Sequence, residues 1–288
     1  MIIADLNAAR QYLPSLNTKV NNTRLNDFFE VAQREVVNRV LGQTFETVLE
    51  TSVTDGEEDP HETLRTLTAR AIALWGYLSA IPELDLQLSE AGFVVQSNDM
   101  MSPASQQRTD RLVASLKSRL STAMDTLTEY LMSVSITEQA YRSWRTTSQF
   151  KNLSRCFVPT LAIMRLNIPS GFDRVSVTWQ DYYDMLGSME NHLDTLVASY
   201  ISAEQIAALK ATYQNGPIQS IDGLVIKEIQ KAVTAAAYGD SLTARNAAMR
   251  ARSLMLADKT HHFSAFESSD VYDLPTIDLG DKSVANML

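Results

Sequence analysis

The chain has 288 residues, 45% of them hydrophobic and 20% charged, which is typical of a folded protein and excludes disorder along its whole length. Ten glycines and eight prolines are few for a β architecture with many turns, so the composition favours helices. The formal net charge of −9 argues against a protein that mainly coats nucleic acid, because phosphate neutralisation needs clustered lysine and arginine.

The single cysteine, Cys156, excludes an intramolecular disulfide and therefore a secreted scaffold held together by disulfides. Its apolar neighbours indicate a small buried residue rather than a nucleophile. The first residues lack the basic start and long apolar run of a signal peptide, and no stretch approaches about 18 consecutive apolar residues. The sequence therefore predicts a chain that is made and kept in solution.

Helical spacing dominates the amino-terminal half. A short helix through Tyr12 ends at Pro14, and a polar connector follows. Apolar residues then recur at three-and-four spacing over residues 24–49, where Gly42 loosens the pattern, and again over residues 64–81. Both of these longer helices therefore have one face to bury.

An irregular insert is predicted at residues 82–102. Asp85–Leu88 and Gly92–Gln96 are typical of two short extended pieces that pair as a hairpin. Ser102 and Pro103 then mark the start of a third long helix, because serine caps helices and proline favours the first helical position. This helix would have about 32 residues and a length of about 48 Å.

The second half also shows helix signals. Thr178 with Asp181, and Ser202 with Gln205, resemble capping boxes, although aspartate replaces the usual glutamate in the first pair. Gly239 is typical of a left-handed helix end, and Asp240 or Ser241 opens the last helix.

The two halves show a possible internal repeat. Residues 25–49 followed by 64–81 resemble residues 182–209 followed by 224–238, as a long amphipathic helix and then an alanine-rich one. The alternative is that any two amphipathic hairpins look alike. The predicted fold is mainly α, a multi-helix bundle with a first unit at 1–135 and a second at 136–256.

An extended carboxyl-terminal tail is predicted at residues 257–288, where the helical spacing disappears but large apolar residues continue. The tail is too apolar to be a simple solvated segment, so we expect it to bury side chains on its own body or, as we favour, on a neighbouring subunit. The predicted subunit-interface residues are Phe263, Phe266, Val271, Tyr272, Leu274, Ile277 and Leu279.

No set of residues specifies a reaction. The histidines have no metal-ligand spacing apart from the adjacent pair His261 and His262, and no phosphate loop, nucleophile elbow or HExxH run occurs. A helical enzyme would need converging polar groups, for which Trp179, Tyr182, Tyr183 and His192 are the weak candidates. We therefore predict a protein that is not an enzyme and has no catalytic, cofactor or metal site.

A short basic stretch remains as a candidate for local nucleic-acid binding. Its cationic residues are Arg142, Arg145, Lys151 and Arg155, with Trp144 and Phe150 between them. We interpret it as a solvated face beside a packed tryptophan, because charge runs usually serve solubility.

Residues Leu6–Leu13, Phe28–Gln33 and Val40–Gly42 form a short helix, a loop and a helix that ends in a Leu-Gly step. This layout resembles the helical head-tail connector (adaptor) proteins of tailed bacteriophages. The insert Ala91–Val95, followed by Pro103–Ser105 and a long helix, is similar to uncharacterised virion proteins of phages and prophages of Bacteroidetes. The resemblance covers the first half well and the second half loosely.

The resemblance implies a structural virion protein at the head-tail junction, made in the cytoplasm of the bacterial host. Such a protein forms a ring beneath the portal, around the DNA exit channel, with twelve copies if the resemblance holds. Its implied partners are further copies of itself, the portal protein and other tail or connector proteins. DNA would pass without specific binding, which suits an acidic surface.

Within this interpretation, one set of insert residues contacts portal or tail components: Phe93, Val94, Val95, Met100 and Met101. The alternative function is a cytosolic helical binding or regulatory module.

Overall fold

The computed structural model describes residues 2–3, 6–13, 25–50, 59–84, 86–89, 92–95, 106–133, 139–215, 218 and 220–273. These residues are mainly helical, so the predicted multi-helix, mainly α fold is confirmed. The chain divides into two units, Met1–Leu186 and Gly187–Leu288.

The first unit starts with α1 (Leu6–Arg10), α2 (Leu25–Val36), α3 (Gln43–Glu50), α4 (Glu62–Leu84) and α5 (Gln106–Ser133). Shorter helices follow: α6 (Gln139–Trp144), α7 (Ser148–Ser154), α8 (Leu161–Asn167) and the first part of α9 (Trp179–His192). Between α4 and α5, the strands β1 (Leu86–Ser89) and β2 (Gly92–Val95) pair antiparallel, with Leu86 opposite Val95.

The stretch predicted as one helix over 24–49 is interrupted. A π-helical turn, Val37–Leu41, follows α2, and α3 begins only after Gly42. Gly42 has a φ of 77°, which a residue with a Cβ rarely adopts, and its N–H donates to the Val37 carbonyl at 2.8 Å. The glycine that loosens the sequence pattern therefore ends the helix.

The core of the first unit forms where α4 packs against both α2 and α5. Gly76 of α4 permits the close approach of α2, because a Cβ built there would lie 2.5 Å from Cδ1 of Phe29. Phe29 is completely buried at this contact.

The boundary between the units differs from the predicted seam at residue 135. The indole N–H of Trp144, which is fully buried, donates to the carbonyl of Val40 at 2.7 Å, and α7 contacts the π-helical turn. The segment after α5 therefore packs on the amino-terminal helices, and the division falls inside α9. Helical spacing could not reveal this, because the contact joins residues far apart in sequence.

The second unit continues α9 through a π-helical turn, Leu193–Val197, into α10 (Ala198–Ile201), α11 (Ala203–Asn215), α12 (Ser220–Ala237), α13 (Ser241–Leu256) and α14 (Ser264–Glu267). Gly239 has a φ of 81° and Asp240 accepts a hydrogen bond from the Thr243 N–H, as predicted for this turn. The α12–α13 interface is rich in buried alanines: Ala232, Ala235, Ala244, Ala247, Ala248 and Ala251.

The second unit repeats the order of backbone features in the first. In the first, a helix runs into a π-helical turn and Gly42 follows directly with positive φ. In the second, a helix runs into a π-helical turn, the short α10 continues it, and Ser202 then has positive φ. A further helix and two long packed helices come next, α4 with α5 or α12 with α13. A later short helix then packs against the helix that follows the positive-φ residue: α6 contacts α3 in the first unit, and α14 contacts α11 in the second. This shared order supports the predicted repeat.

The tail is not an extended strap over its described part. Residues 257–273 form turns and α14, and Phe263 and Phe266 are buried within the second unit. The N–H of Phe266 donates to Oε1 of Gln205 at 3.0 Å. The prediction that Phe263 and Phe266 contact a neighbouring subunit is therefore wrong, because both already belong to the core of their own unit.

Candidate functional site

Three exposed large apolar side chains of the first unit lie in one stretch of chain, at the end of α8 and in the loop that follows. Leu166 is 79% exposed, Phe172 44% and Val175 86%. Isolated exposed apolar residues are ordinary, but several in one short loop are typical of an interaction surface. We call Leu166, Phe172 and Val175 the apolar loop.

Polar groups hold the apolar loop in shape without covering its apolar side chains. The Arg165 guanidinium donates to the carbonyls of Val175 and Val177. The Asp173 carboxylate accepts the N–H groups of Val175 at 2.8 Å and Ser176 at 3.2 Å. Hydrogen bonds from the Ser176 side chain and these N–H groups lower the pKa of Asp173, so the carboxylate is charged at neutral pH. The loop is therefore shaped before any partner binds.

A cleft of about 310 Å³ lies beside the start of α9. Its lining combines apolar and polar residues: Trp75, Leu78, Lys117, Leu120, Ser121, Thr178, Trp179, Gln180 and Asp181. The predicted capping box is confirmed here, since Thr178 N–H donates to Asp181 at 2.7 Å and Asp181 N–H to the Thr178 hydroxyl at 3.3 Å. The main-chain N–H of Trp179 donates to the Ser121 hydroxyl at 3.0 Å, which attaches this wall of the cleft to α5.

Arg39 lies behind this wall among aromatic rings, which the sequence did not predict. Its guanidinium carbon lies 5.1 Å from the ring centre of Trp75 and 4.8 Å from that of Tyr183. The guanidinium also donates to Glu35 and Gln180, each at 2.7 Å. This cluster joins α2, the π-helical turn, α4 and α9 of the first unit through cation–π contacts and hydrogen bonds.

The aromatic residues that were candidates for an enzyme cleft make contacts that stabilise the fold. Tyr182 is buried and its hydroxyl donates to the Val158 carbonyl at 2.9 Å. The Tyr183 hydroxyl accepts from Asn152 at 3.0 Å, and its ring stacks on Trp179. These contacts explain the aromatic residues as packing.

Among the residues that the structure describes, Asp125 has a strongly shifted pKa. Its carboxylate accepts the N–H groups of Leu161 and Ala162, at 2.9 and 2.8 Å, at the start of α8. Burial raises the pKa of Asp125 to about 6, and these two hydrogen bonds only partly oppose the shift. Asp125 therefore closes the end of a helix from a neighbouring element, a structural role.

The short basic stretch does not offer an open stacking surface. Trp144 and Phe150 are fully buried, as expected of a packed tryptophan. The Arg145 guanidinium donates to the Met132 carbonyl at 2.8 Å and lies 5.9 Å from the Phe150 ring centre. Part of the stretch therefore serves folding.

The predicted contact residues fall into three groups. Phe93, Val94 and Val95 lie on β2, paired with Leu88, Gln87 and Leu86 respectively. Val271 is half-buried and Tyr272 is 37% exposed, and both offer their carbonyls to Arg252. Met100, Met101, Leu274, Ile277 and Leu279 lie outside the described residues.

The histidine pair lies in the second unit and each member has a carboxylate partner. His261 Nδ1 lies 2.8 Å from Glu267, which raises the pKa of His261, and His262 Nε2 lies 2.9 Å from Asp222. Within the described ranges, no three histidine, cysteine, aspartate or glutamate side chains are placed to hold a metal ion. None of the helices in the described part is long and apolar enough to cross a membrane.

Comparison with known proteins finds one family. Residues 29–153 match DUF6712, a family of unknown function. The match runs from α2 to α7 and passes residue 135, in agreement with the packing of Trp144 on the amino-terminal helices. No curated protein and no solved structure matches the chain.

Proposed function

We propose that this protein is a structural virion protein, a head-tail connector that forms a ring beneath the portal, around the DNA exit channel. The observation that carries the proposal is the apolar loop, which exposes Leu166, Phe172 and Val175 on a backbone fixed by Arg165 and Asp173. A loop of this kind is suited to contact another protein. The resemblance of residues 6–42 and 91–105 to phage connector and virion proteins favours a ring at the head-tail junction as the assembly that this loop serves.

A ring needs two different surfaces on each copy, because head-to-tail contacts close by rotation. The apolar loop supplies one surface. The cleft supplies a second, concave surface, where Trp75, Leu78, Leu120 and Trp179 form the apolar part of a mixed lining, and its size admits one large side chain. In this proposal the loop of one copy enters the cleft of the next.

The remaining parts of the proposal concern the partners. The insert, with Phe93, Val94, Val95, Met100 and Met101, contacts the portal or tail components. DNA passes through the channel without specific binding, which the net charge of −9 favours through repulsion of phosphates.

The test uses the full-length protein, alone and co-expressed with the portal protein of the same genome. Light scattering and negative-stain electron microscopy should show a ring for the wild type. Val175→Asp and Leu166→Asp should each abolish the ring and leave the circular dichroism spectrum unchanged. Leu224→Asp is the control, because Leu224 is 48% exposed but lies in the second unit. A protein that stays monomeric both alone and with the portal contradicts the proposal.

The second candidate function is a cytosolic helical binding or regulatory module, and the cleft is the observation that favours it. The indole N–H of Trp179 has no hydrogen-bond acceptor among the described residues, and a buried donor without a partner is costly. A ligand with an apolar group and an acceptor would suit this site. A monomer whose Trp179 fluorescence responds to such a ligand would support this function over the connector.

A further inference from the structure

The outer face of α13 carries a line of apolar residues that nothing in the described part of the chain covers. Leu242 is 70% exposed, Leu256 is 37% exposed and Met249 is half-buried. These residues are seven positions apart, just under two helical turns, so they lie along one side of the helix. The opposite side of α13 packs its alanines against α12. We call Leu242, Met249 and Leu256 the α13 stripe.

Positive charge flanks the α13 stripe. The helix contains three arginines and no acidic residue, although the whole chain has a net charge of −9. Arg245 and Arg250 are exposed and have no ion-pair partner within the described ranges. Two such faces would repel each other, so the complementary surface must combine acidic with apolar groups.

The carboxyl-terminal segment that follows the described residues has this chemistry. Residues 274–281 contain Leu274, Ile277 and Leu279 together with Asp278 and Asp281, and no lysine or arginine. The described residues just before the segment lie beside α13, since Arg252 of that helix donates to the Val271 and Tyr272 carbonyls at 3.2 and 3.1 Å.

The lengths of the segment and the helix also match. Eight extended residues span at most about 26 Å. The 16 residues of α13 span about 24 Å. The segment can therefore reach from Arg252 to Leu242 without a further linker.

We propose that residues 274–281 dock along the outer face of α13 in the same chain. Leu274, Ile277 and Leu279 cover the α13 stripe, while Asp278 and Asp281 pair with Arg245 and Arg250. The same chain is the occupant because a short tether holds the segment at an effective concentration near the millimolar range, above that of any other copy in dilute solution. This inference does not depend on the connector proposal.

Disulfide trapping in the full-length protein tests the docking. The variant Met249→Cys with Ile277→Cys should form a disulfide under mild oxidation and migrate as a faster monomer on a non-reducing gel. The native Cys156 is fully buried and should not compete. The matched control is Lys227→Cys with Ile277→Cys, because Lys227 is exposed on α12 and outside the α13 stripe. The control pair should link at least tenfold more slowly.

Three results would overturn the proposal. The first is no disulfide between positions 249 and 277, and the second is equal linking of the control pair. The third is a disulfide-linked dimer at micromolar protein, which would assign the segment to a second copy.

A second experiment tests the charge pairing. Arg245→Glu with Arg250→Glu should slow the 249–277 disulfide several-fold, and adding Asp278→Lys with Asp281→Lys should restore the rate. Raised salt should slow trapping in the wild-type background and speed it in the Arg245→Glu, Arg250→Glu variant, where it screens the repulsion between like charges. A trapping rate that stays the same after charge reversal would contradict the pairing of the two arginines with the aspartates.

Discussion

The indole N–H of Trp144 lies 2.7 Å from the main-chain carbonyl of Val40, and the two residues are completely buried. This hydrogen bond joins α6 to the π-helical turn Val37–Leu41, 104 positions earlier in the chain. The phenyl ring of Phe150 packs edge-on against the same indole, 4.9 Å between ring centres. These contacts help to attach the segment after α5 to the first unit.

Replacing Trp144 should destabilise the first unit. Trp144→Phe removes the donor to Val40 and should lower the free energy of unfolding by about 1–3 kcal/mol, whereas Trp144→Ala also leaves a cavity and should lower it by about 3–5 kcal/mol. Urea unfolding followed by circular dichroism measures both. Lys151→Ala, at an exposed position of α7, is the control and should change stability by less than about 0.5 kcal/mol. Equal stabilities for all three variants would refute the role of Trp144.

Two helical glycines should respond to alanine with opposite signs. At Gly76 a Cβ would lie 2.5 Å from Phe29, so Gly76→Ala should lower the free energy of unfolding by about 1–3 kcal/mol. At Gly223 the nearest atom is on Ile218, 3.9 Å away, so Gly223→Ala should raise it by about 0.5–1 kcal/mol through better helix propensity. Thermal unfolding measures both variants, and a loss of stability in each would show that the contact at Gly76 is not the cause.

Asp125 should make stability depend on pH in a direction unusual for a carboxylate. Its pKa in the folded state is about 6, above the ordinary 3.8 expected in the unfolded chain. Between about pH 4 and 6 the folded state keeps a proton that the unfolded state has lost, so the contribution of Asp125 to stability falls as pH rises through this window.

Asp125→Asn provides the comparison, because it removes the titration and keeps the shape. The difference in free energy of unfolding between wild type and Asp125→Asn should favour the wild type most near pH 4 and decline toward pH 7. A wild-type advantage that grows with pH would mean that the bonds from Leu161 and Ala162 outweigh burial.

Gln205 should hold the tail against the second unit. Its side-chain oxygen accepts the Phe266 N–H at 3.0 Å, and both residues are buried. Gln205→Leu leaves this N–H without a partner, which should cost about 1–3 kcal/mol and speed hydrogen exchange at residues 263–268. Glu204→Ala, at the exposed neighbouring position, is the control. Unchanged exchange in Gln205→Leu would show that the aromatic side chains alone hold the tail.

The Gln205 contact also changes how the tail is best tested in assembly. A deletion from Phe263 removes two buried aromatic residues and should unfold the second unit, so it reports on folding rather than on ring formation. Truncation after Asp273 spares Phe263, Phe266 and the Arg252 contacts. That variant tests the role of the last fifteen residues in assembly without removing side chains from the core.

Local signals in the sequence predicted much of the fold because they act over a few residues. The Thr178–Asp181 capping box and the turn at Gly239 and Asp240 lie where expected. Ser202 caps α11 through the Gln205 N–H, as predicted, but the Gln205 side chain binds Phe266 instead of returning to Ser202. The sequence pattern therefore predicted the start of α11 correctly but did not predict the contact between Gln205 and Phe266.

The candidate sites were harder to predict. Arg39 among Trp75, Trp179 and Tyr183 combines residues from three separate stretches, and only Glu35, four positions earlier, is visible as a partner in sequence. The apolar loop was missed because Leu166, Phe172 and Val175 look like ordinary core residues until their exposure is known.

By itself the sequence determined the helices, their caps and breaks, because backbone hydrogen bonds, proline, glycine and capping side chains act within one or two helical turns. Only the tertiary structure decided the division inside α9, the burial of Phe263 and Phe266, and which apolar residues stay exposed. These depend on close packing between segments distant in the chain, and neither composition nor spacing encodes which of two apolar faces finds a partner.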